Sequence, residues 1–155
     1  GRGSPLPAQP QPPNAIIRSH RDSCIIAHGY LDLAKADEGI LDPAKIRRRI
    51  IQGVVDPGAT KLVLPEAVVK ELGLALWKST IKVKYADGRS GTRKEVGGVY
   101  VKLLGREGIF TAIAEPKRTT ALIGAIVLED LDFLVDCKKT RLVPRDPDYI
   151  LSEME

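Results

Sequence analysis

Between Ile81 and Leu103 the residues spell out a β-hairpin, and that pattern decides the kind of fold open to the whole chain. Ile81, Val83 and Tyr85 alternate with Lys82 and Lys84. A period of two gives a strand one apolar and one wet face. Ala86-Asp87-Gly88-Arg89-Ser90-Gly91 follows as a flexible tip, in which Asp87-Gly88 is the strongest short-range turn signal. Val99, Val101 and Leu103 resume the alternation, and Arg106-Glu107-Gly108 is expected to turn the sheet into Ile109 to Ala114. Upstream, Ile25 to Leu33 reads as a strand with Ala27, Gly29, Leu31 and Leu33 on one face and His28, Tyr30 and Asp32 on the other. Ile46 to Val55 reads as a second strand, behind the loop signals Asp37-Glu38-Gly39 and Asp42-Pro43. The expectation is a mainly β chain. Its 155 residues suffice for one domain with a real core. Aromatic residues make up only 5%, so that core is built from Val, Leu, Ile and Ala.

The second strand runs into Val54-Val55-Asp56-Pro57-Gly58-Ala59-Thr60-Lys61-Leu62-Val63-Leu64-Pro65. An apolar pair delivers one Asp into a turn, Gly58 supplies permissive backbone, and a second apolar run follows at once. A carboxylate at the mouth of a core has the kind of environment in which its chemistry is tuned. Pro65 is expected to open a helix, with Glu66 at its positive end and Gly73 at its stop. Val68, Val69 and Leu72 would form its buried face.

Asp56, Gly58 and Ala59 match the active-site loop of the retropepsin-like aspartic proteases of clan AA, two hydrophobic residues followed by Asp-Thr/Ser-Gly-Ala. The chain resembles a single-domain, bacterial-type member carrying Asp-Pro-Gly-Ala instead. Three later features extend the resemblance over about residues 26 to 144. Ala86 to Gly91 falls where the family has its mobile flap. Leu122-Ile123-Gly124 matches the family's apolar-apolar-Gly triplet, with Ala125 to Asp130 as the short helix behind it. Leu131 to Asp136 and Arg141-Leu142-Val143-Pro144 resemble the closing strands. The resemblance implies a retropepsin-like β-barrel with one or two short helices over residues 25–146.

The same resemblance implies an aspartic endopeptidase with Asp56 as catalytic residue. Gly58, Ala59, Ala86, Asp87 and Gly88 would meet the substrate. Hydrolysis without metal or covalent nucleophile needs a water activated on one side and a proton supplied on the other. Two carboxylates about 3 Å apart share one proton and do both. They titrate as a pair. The chain carries one such loop, because no Gly-Ala/Ser turn follows Asp136 and Asp87 is a turn residue. The second half must come from a twin Asp56 across a two-fold axis, so a homodimer acting on a peptide or protein is expected. Pro57 departs from the family: it lacks the hydroxyl and the N–H through which the two loops brace each other. That departure sustains a reading of a different class, a catalytically inactive retropepsin-fold module for peptide binding or dimerisation.

Other chemistries find less support. A net charge of +4 permits nucleic-acid contact without arguing for it. Arg47-Arg48-Arg49 has no interleaved aromatic rings and reads as a solvated strand start. A basic binder using Arg47 to Arg49, Lys82, Lys84, Arg89, Arg93 and Lys94 remains as a third reading, and no nucleic-acid partner is expected. His20 and His28 are the two histidines; Ser23, Cys24 and His28 are close in sequence, yet no activating carboxylate has fixed spacing to them. Gly97-Gly98 precedes a strand rather than a helix, unlike a phosphate-binding loop. No metal or other cofactor is expected. Cys24 and Cys137 are isolated, which points to a reducing cytoplasmic setting. No membrane span or signal peptide is read. Residues 1–24, beginning GRGSPLPAQPQPPN, are expected as a disordered Pro-rich tail, and residues 147–155 as a polar one.

Overall fold

A computed structural model describes residues 24–74, 76–136 and 141–146; the two expected tails lie almost wholly outside them. Strand β1 (Cys24–Gly29) is followed by helix α1 (Tyr30–Asp37), a single 3₁₀ turn (Pro43–Lys45) and β2 (Arg48–Val55). Then come β3 (Leu62–Pro65), α2 (Glu66–Glu71), β4 (Leu76–Lys84), β5 (Ser90–Leu103) and β6 (Arg106–Glu115). Strand β7 (Ala121–Ile123), α3 (Ala125–Asp130), β8 (Phe133–Asp136) and β9 (Arg141–Pro144) complete the order.

Six strands close into a ring. β1 pairs antiparallel with β2, and β2 runs parallel to β7 with Val54 opposite Leu122. β7 meets β3 through Leu122 and Val63, and β3 runs parallel to β6. β6 pairs with β5, which returns to β1 with Val101 opposite Ala27. Closure removes the exposed edges that an open sheet would present. Alternate residues point inward: Ile25 and Ala27, Leu62 and Leu64, Ala112 and Ala114, and Ala121 and Ile123 are all buried. Val99, Val101 and Leu103 bury the second half of β5 in the same way. Each large aliphatic side chain taken from water contributes about 1.5–3 kcal/mol. β4 stands outside the ring and pairs with the first half of β5, so the β4–β5 hairpin projects from the barrel.

The expected mainly β barrel is thus observed, with three short helices among the described residues rather than one or two. The strand expected from Ile25 to Leu33 stops at Gly29, and Tyr30 to Asp37 is helical. The reason is Asp32. On the wet face of a strand it would meet water; in the first turn of α1 it is buried and accepts from the Arg47 N–H at 3.0 Å, Arg47 Nε at 2.9 Å and Arg47 Nη2 at 2.9 Å. Leu31, expected inside, is left exposed. The arginine run is accordingly split: Arg47 grips Asp32, and Arg49 pairs with Glu71 of α2.

Two boundaries also move. Pro65 ends β3 and caps α2, which starts at Glu66; Val68, Val69 and Leu72 are buried as expected. The turn expected at Arg106-Glu107-Gly108 lies at Leu104-Gly105, both with positive φ (49° and 82°), and β6 begins at Arg106. Positive φ at both central residues gives a turn whose twist matches the strands it joins. Arg106 donates to the Leu131 and Asp132 carbonyls at 2.8 and 3.0 Å, tying this end of the barrel to the segment before β8. β8 and β9 form a separate two-stranded sheet.

The Asp32–Arg47 pair makes a testable contribution. The Arg47 hydrogen bonds hold the Asp32 carboxyl down to about 2, against burial, which pushes it up. A carboxylate with a depressed folded-state value stabilises the fold above its unfolded value near 3.9, and that stability is lost as pH falls toward 2. Asp32→Asn should therefore cost about 1–3 kcal/mol at neutral pH. Urea unfolding across this range should show the deficit shrinking as pH falls from about 4 to about 2.

Candidate active site

Strand β2 is buried at Val55 and ends there, so Asp56 emerges directly from the core. Its N–H donates to the Ile123 carbonyl at 3.0 Å, extending the β2–β7 ladder one residue beyond the strand. Asp56 Oδ1 accepts from the Gly58 N–H at 2.9 Å, and the Asp56 carbonyl accepts from the Ala59 N–H at 3.0 Å. Both turn bonds skip Pro57, whose missing N–H removes neither. The side-chain-to-backbone turn fixes one carboxylate oxygen. The other accepts no hydrogen bond from the described residues.

Helix α3 holds this loop from behind. The first N–H groups of a helix have no partner within it. Here the Ala125 N–H donates to the Ala59 carbonyl at 2.7 Å and the Ile126 N–H to the Thr60 carbonyl at 2.9 Å. Gly124 makes that approach possible. A Cβ on it would stand 2.5 Å from the Lys61 carbonyl oxygen, 2.9 Å from the Ala59 carbonyl oxygen and 2.9 Å from the Lys61 nitrogen. The Leu122-Ile123-Gly124 triplet thus has a mechanical meaning: two residues pair β7 with its neighbours, and the third lets the helix touch the Asp loop.

Beside the loop lies an open groove of about 1010 Å³. Gly58 and Ala59 line it, together with Val63, Ile113 and Leu122 from the ring and Ile81 and Val83 from β4. The expected flap residues Ala86, Asp87 and Gly88 form the exposed hairpin turn, while its shoulders Tyr85 and Arg89 line the groove. Gly88 has φ +87°, and the Asp87 carboxylate accepts from the Arg89 N–H at 3.0 Å and from Arg89 Nε at 2.6 Å. The hairpin is anchored to β6 from its shoulder and from further down its length. Tyr85 donates its O–H to Glu115 at 3.1 Å, Arg93 Nε donates to Glu115 Oε1 at 2.6 Å, and the Arg93 guanidinium stands 5.6 Å from the Tyr85 ring centre. Burial and the Glu115 contact push the Tyr85 hydroxyl above its ordinary range.

Arg118, between β6 and β7, is the site residue that the sequence did not disclose. Its Nε donates to the Thr120 carbonyl at 2.7 Å. Burial lowers its pKa, while the charges of Glu115 and Asp56 act to raise it. Lys61, Lys117, Glu115 and Arg93 also line the groove without having been singled out as substrate contacts. The signal that could have found Lys117 and Arg118 is Glu115-Pro116-Lys117-Arg118, a short basic turn immediately before the Gly124 triplet. His28 lies on β1 and is absent from the groove lining; its Nδ1 is buried without a hydrogen-bond partner among the described residues, and its ring meets Tyr100 edge-on.

Chemically, the chain presents one oriented carboxylate beside an open groove. The parts follow one another as the resemblance implies: Asp loop, short helix, projecting hairpin, apolar-apolar-Gly, second short helix. No protein-family model and no curated protein matches the chain. Among solved structures it is similar to the solution structure of the simian foamy virus (mac) protease, at 21% identity and a TM-score of 0.41, over 53% of this chain and 84% of that one.

Proposed function

We propose that the chain is one subunit of an aspartic endopeptidase whose active centre is completed by a second copy, the two Asp56 carboxylates sharing a proton across a two-fold axis. The observation that carries this reading is the Asp56 loop: a carboxylate leaving a buried strand, oriented by the Gly58 N–H and held from behind by α3. A lone carboxylate has no partner with which to divide the roles of acid and base. A symmetric twin supplies one without any further residue. Gly58 and Ala59 offer backbone to the substrate, and the hairpin tip Ala86-Asp87-Gly88 closes over it and excludes water. No metal or cofactor takes part.

Incubation with denatured casein between about pH 4 and 8, with and without pepstatin, tests the reading, because the shared proton confines activity to the window between the pair's two titrations. Cleavage that pepstatin blocks is the expected result. Peptide binding with no cleavage at any pH would favour the second reading, a catalytically silent peptide-binding or dimerisation module. Pro57 is the observation behind that alternative, since it carries neither hydroxyl nor N–H to brace one loop against its twin.

Pro57 should accordingly limit the rate. The turn bonds around Asp56 survive it, so the carboxylate is placed but the contact between loops is not secured. Misplacement of about 1 Å costs on the order of 100-fold in rate. Pro57→Thr should raise turnover of an unstructured protein substrate by about 10- to 100-fold and tighten dimerisation. If neither turnover nor dimer affinity changes, residue 57 does not brace the loops.

A further inference from the structure

The groove is far more basic than the chain around it. Its lining carries seven lysines and arginines against one carboxylate, Glu115. The whole chain has a net charge of only +4. Glu115 is already occupied by Arg93 and Tyr85. Arg89 is held by Asp87, and Lys61 lies 3.6 Å from Glu95. Lys82, Lys84 and Lys117 have no carboxylate within ion-pair distance among the described residues. Cations gathered in a concave wall repel one another, and an anionic ligand relieves that repulsion.

The placement of two of these charges specifies the shape of the ligand. Lys82 and Lys84 occupy alternate positions on β4 and share its exposed face, opposite the half-buried Ile81 and Val83. Among the described residues β4 pairs with β5 alone, so its other edge is open. An open strand edge offers both N–H and C=O groups to an extended polypeptide. Side chains on the added strand recur on one face about every 7 Å, the repeat that also separates Lys82 from Lys84. A nucleic acid fits less well. Its phosphates accept hydrogen bonds and leave the strand carbonyls unpaired. The one aromatic ring in the lining, Tyr85, has its hydroxyl engaged by Glu115 and the Arg93 guanidinium over its ring, so it offers no stacking platform.

We propose that the groove selects acidic polypeptide segments, an extended chain with Asp or Glu at alternate positions laid along the open edge of β4, with Lys82 and Lys84 reading the carboxylates. This substrate class rests on the endopeptidase reading of the same groove, and the test separates the two. Electrostatic complementarity of this kind sets selectivity and encounter rate, and it weakens as salt screens it.

The test uses the 155-residue chain carrying Asp56→Asn, expected to bind without cutting. Its ligands are two fluorescein-labelled peptides of equal length, one with Glu at alternate positions and one with Gln in their place. Fluorescence anisotropy should show the Glu peptide binding about 10- to 100-fold more tightly at low salt, with the gap closing as sodium chloride rises. Lys82→Gln with Lys84→Gln should shrink the gap, and Lys82→Glu with Lys84→Glu should shrink it further, with circular dichroism confirming that each remains folded. Equal affinity for both peptides overturns the inference. So does a single-stranded oligonucleotide of matched charge that binds more tightly than the Glu peptide. Cleavage by the unmodified chain reports separately on the endopeptidase reading. Asp56-dependent cutting of Glu and Gln peptides alike sustains that reading and overturns acidic selection. A charge preference in binding, with neither peptide cut, does the reverse.

Discussion

Asp56→Asn should abolish proteolysis while leaving the fold intact. The asparagine Oδ1 can still accept from the Gly58 N–H, the contact that orients the side chain at 2.9 Å. The Asp56 backbone bonds to Ile123 and Ala59 do not involve the side chain. The loop therefore keeps its shape, and the melting temperature should stay within about 2 °C, as expected for an isosteric change outside the core. Chemistry has no such reserve. An amide neither takes a proton from water nor shares one with a facing carboxylate. Cleavage of denatured casein should drop to the level of a blank. Residual cleavage comparable to the unmodified chain would remove Asp56 from the mechanism.

Gly124→Ala should cost a large part of the stability for a single added methyl group. Gly124 has φ −91° and ψ −176°, extended backbone that alanine adopts freely, so no conformational strain is involved. The cost is steric: the added carbon would lie 2.5 Å from the Lys61 carbonyl oxygen and 2.9 Å from that of Ala59. Both obstacles are backbone, and neither can rotate away. Relief requires α3 to withdraw from the loop, which breaks the Ala125 and Ile126 bonds at 2.7 and 2.9 Å. Overpacking of this kind costs about 1–3 kcal/mol, and two orphaned N–H groups add about 1–3 kcal/mol each where they stay buried. Urea unfolding should place the loss at about 3 kcal/mol or more. Peptidase activity should fall further than stability predicts, since the displaced loop carries Asp56. A loss below about 1 kcal/mol would show that α3 is not pressed against the loop.

These two expectations mark which parts of the site were legible in sequence. The hairpin announced itself through Ile81, Val83 and Asp87-Gly88, because alternation and a turn dipeptide are local signals. The turn at Asp56 was legible because an apolar pair followed by an Asp and a Gly signals a strand running into a turn. The helix at Tyr30 was hidden. Leu31 and Leu33 satisfy a strand's period, and only the distant Arg47, 15 residues on, draws Asp32 inward. Arg118 was hidden for a similar reason: its relation to Asp56 arises when β6 and β7 flank the loop, a long-range arrangement that no spacing encodes. The role of Gly124 was visible as a motif, and its cause was not, because the obstacle is the backbone of Ala59 and Lys61 more than sixty residues earlier.

The central claim is that two chains build one centre, and subunit mixing tests it directly. Unmodified chain is mixed in equal amounts with the Asp56→Asn variant, allowed to exchange, and assayed at constant total concentration. If each centre needs an Asp56 from both subunits, only pairs of unmodified chains cut, and random pairing leaves about one quarter of the original activity. Retention of about one half would mean that each chain acts alone, and the shared-proton account would be wrong.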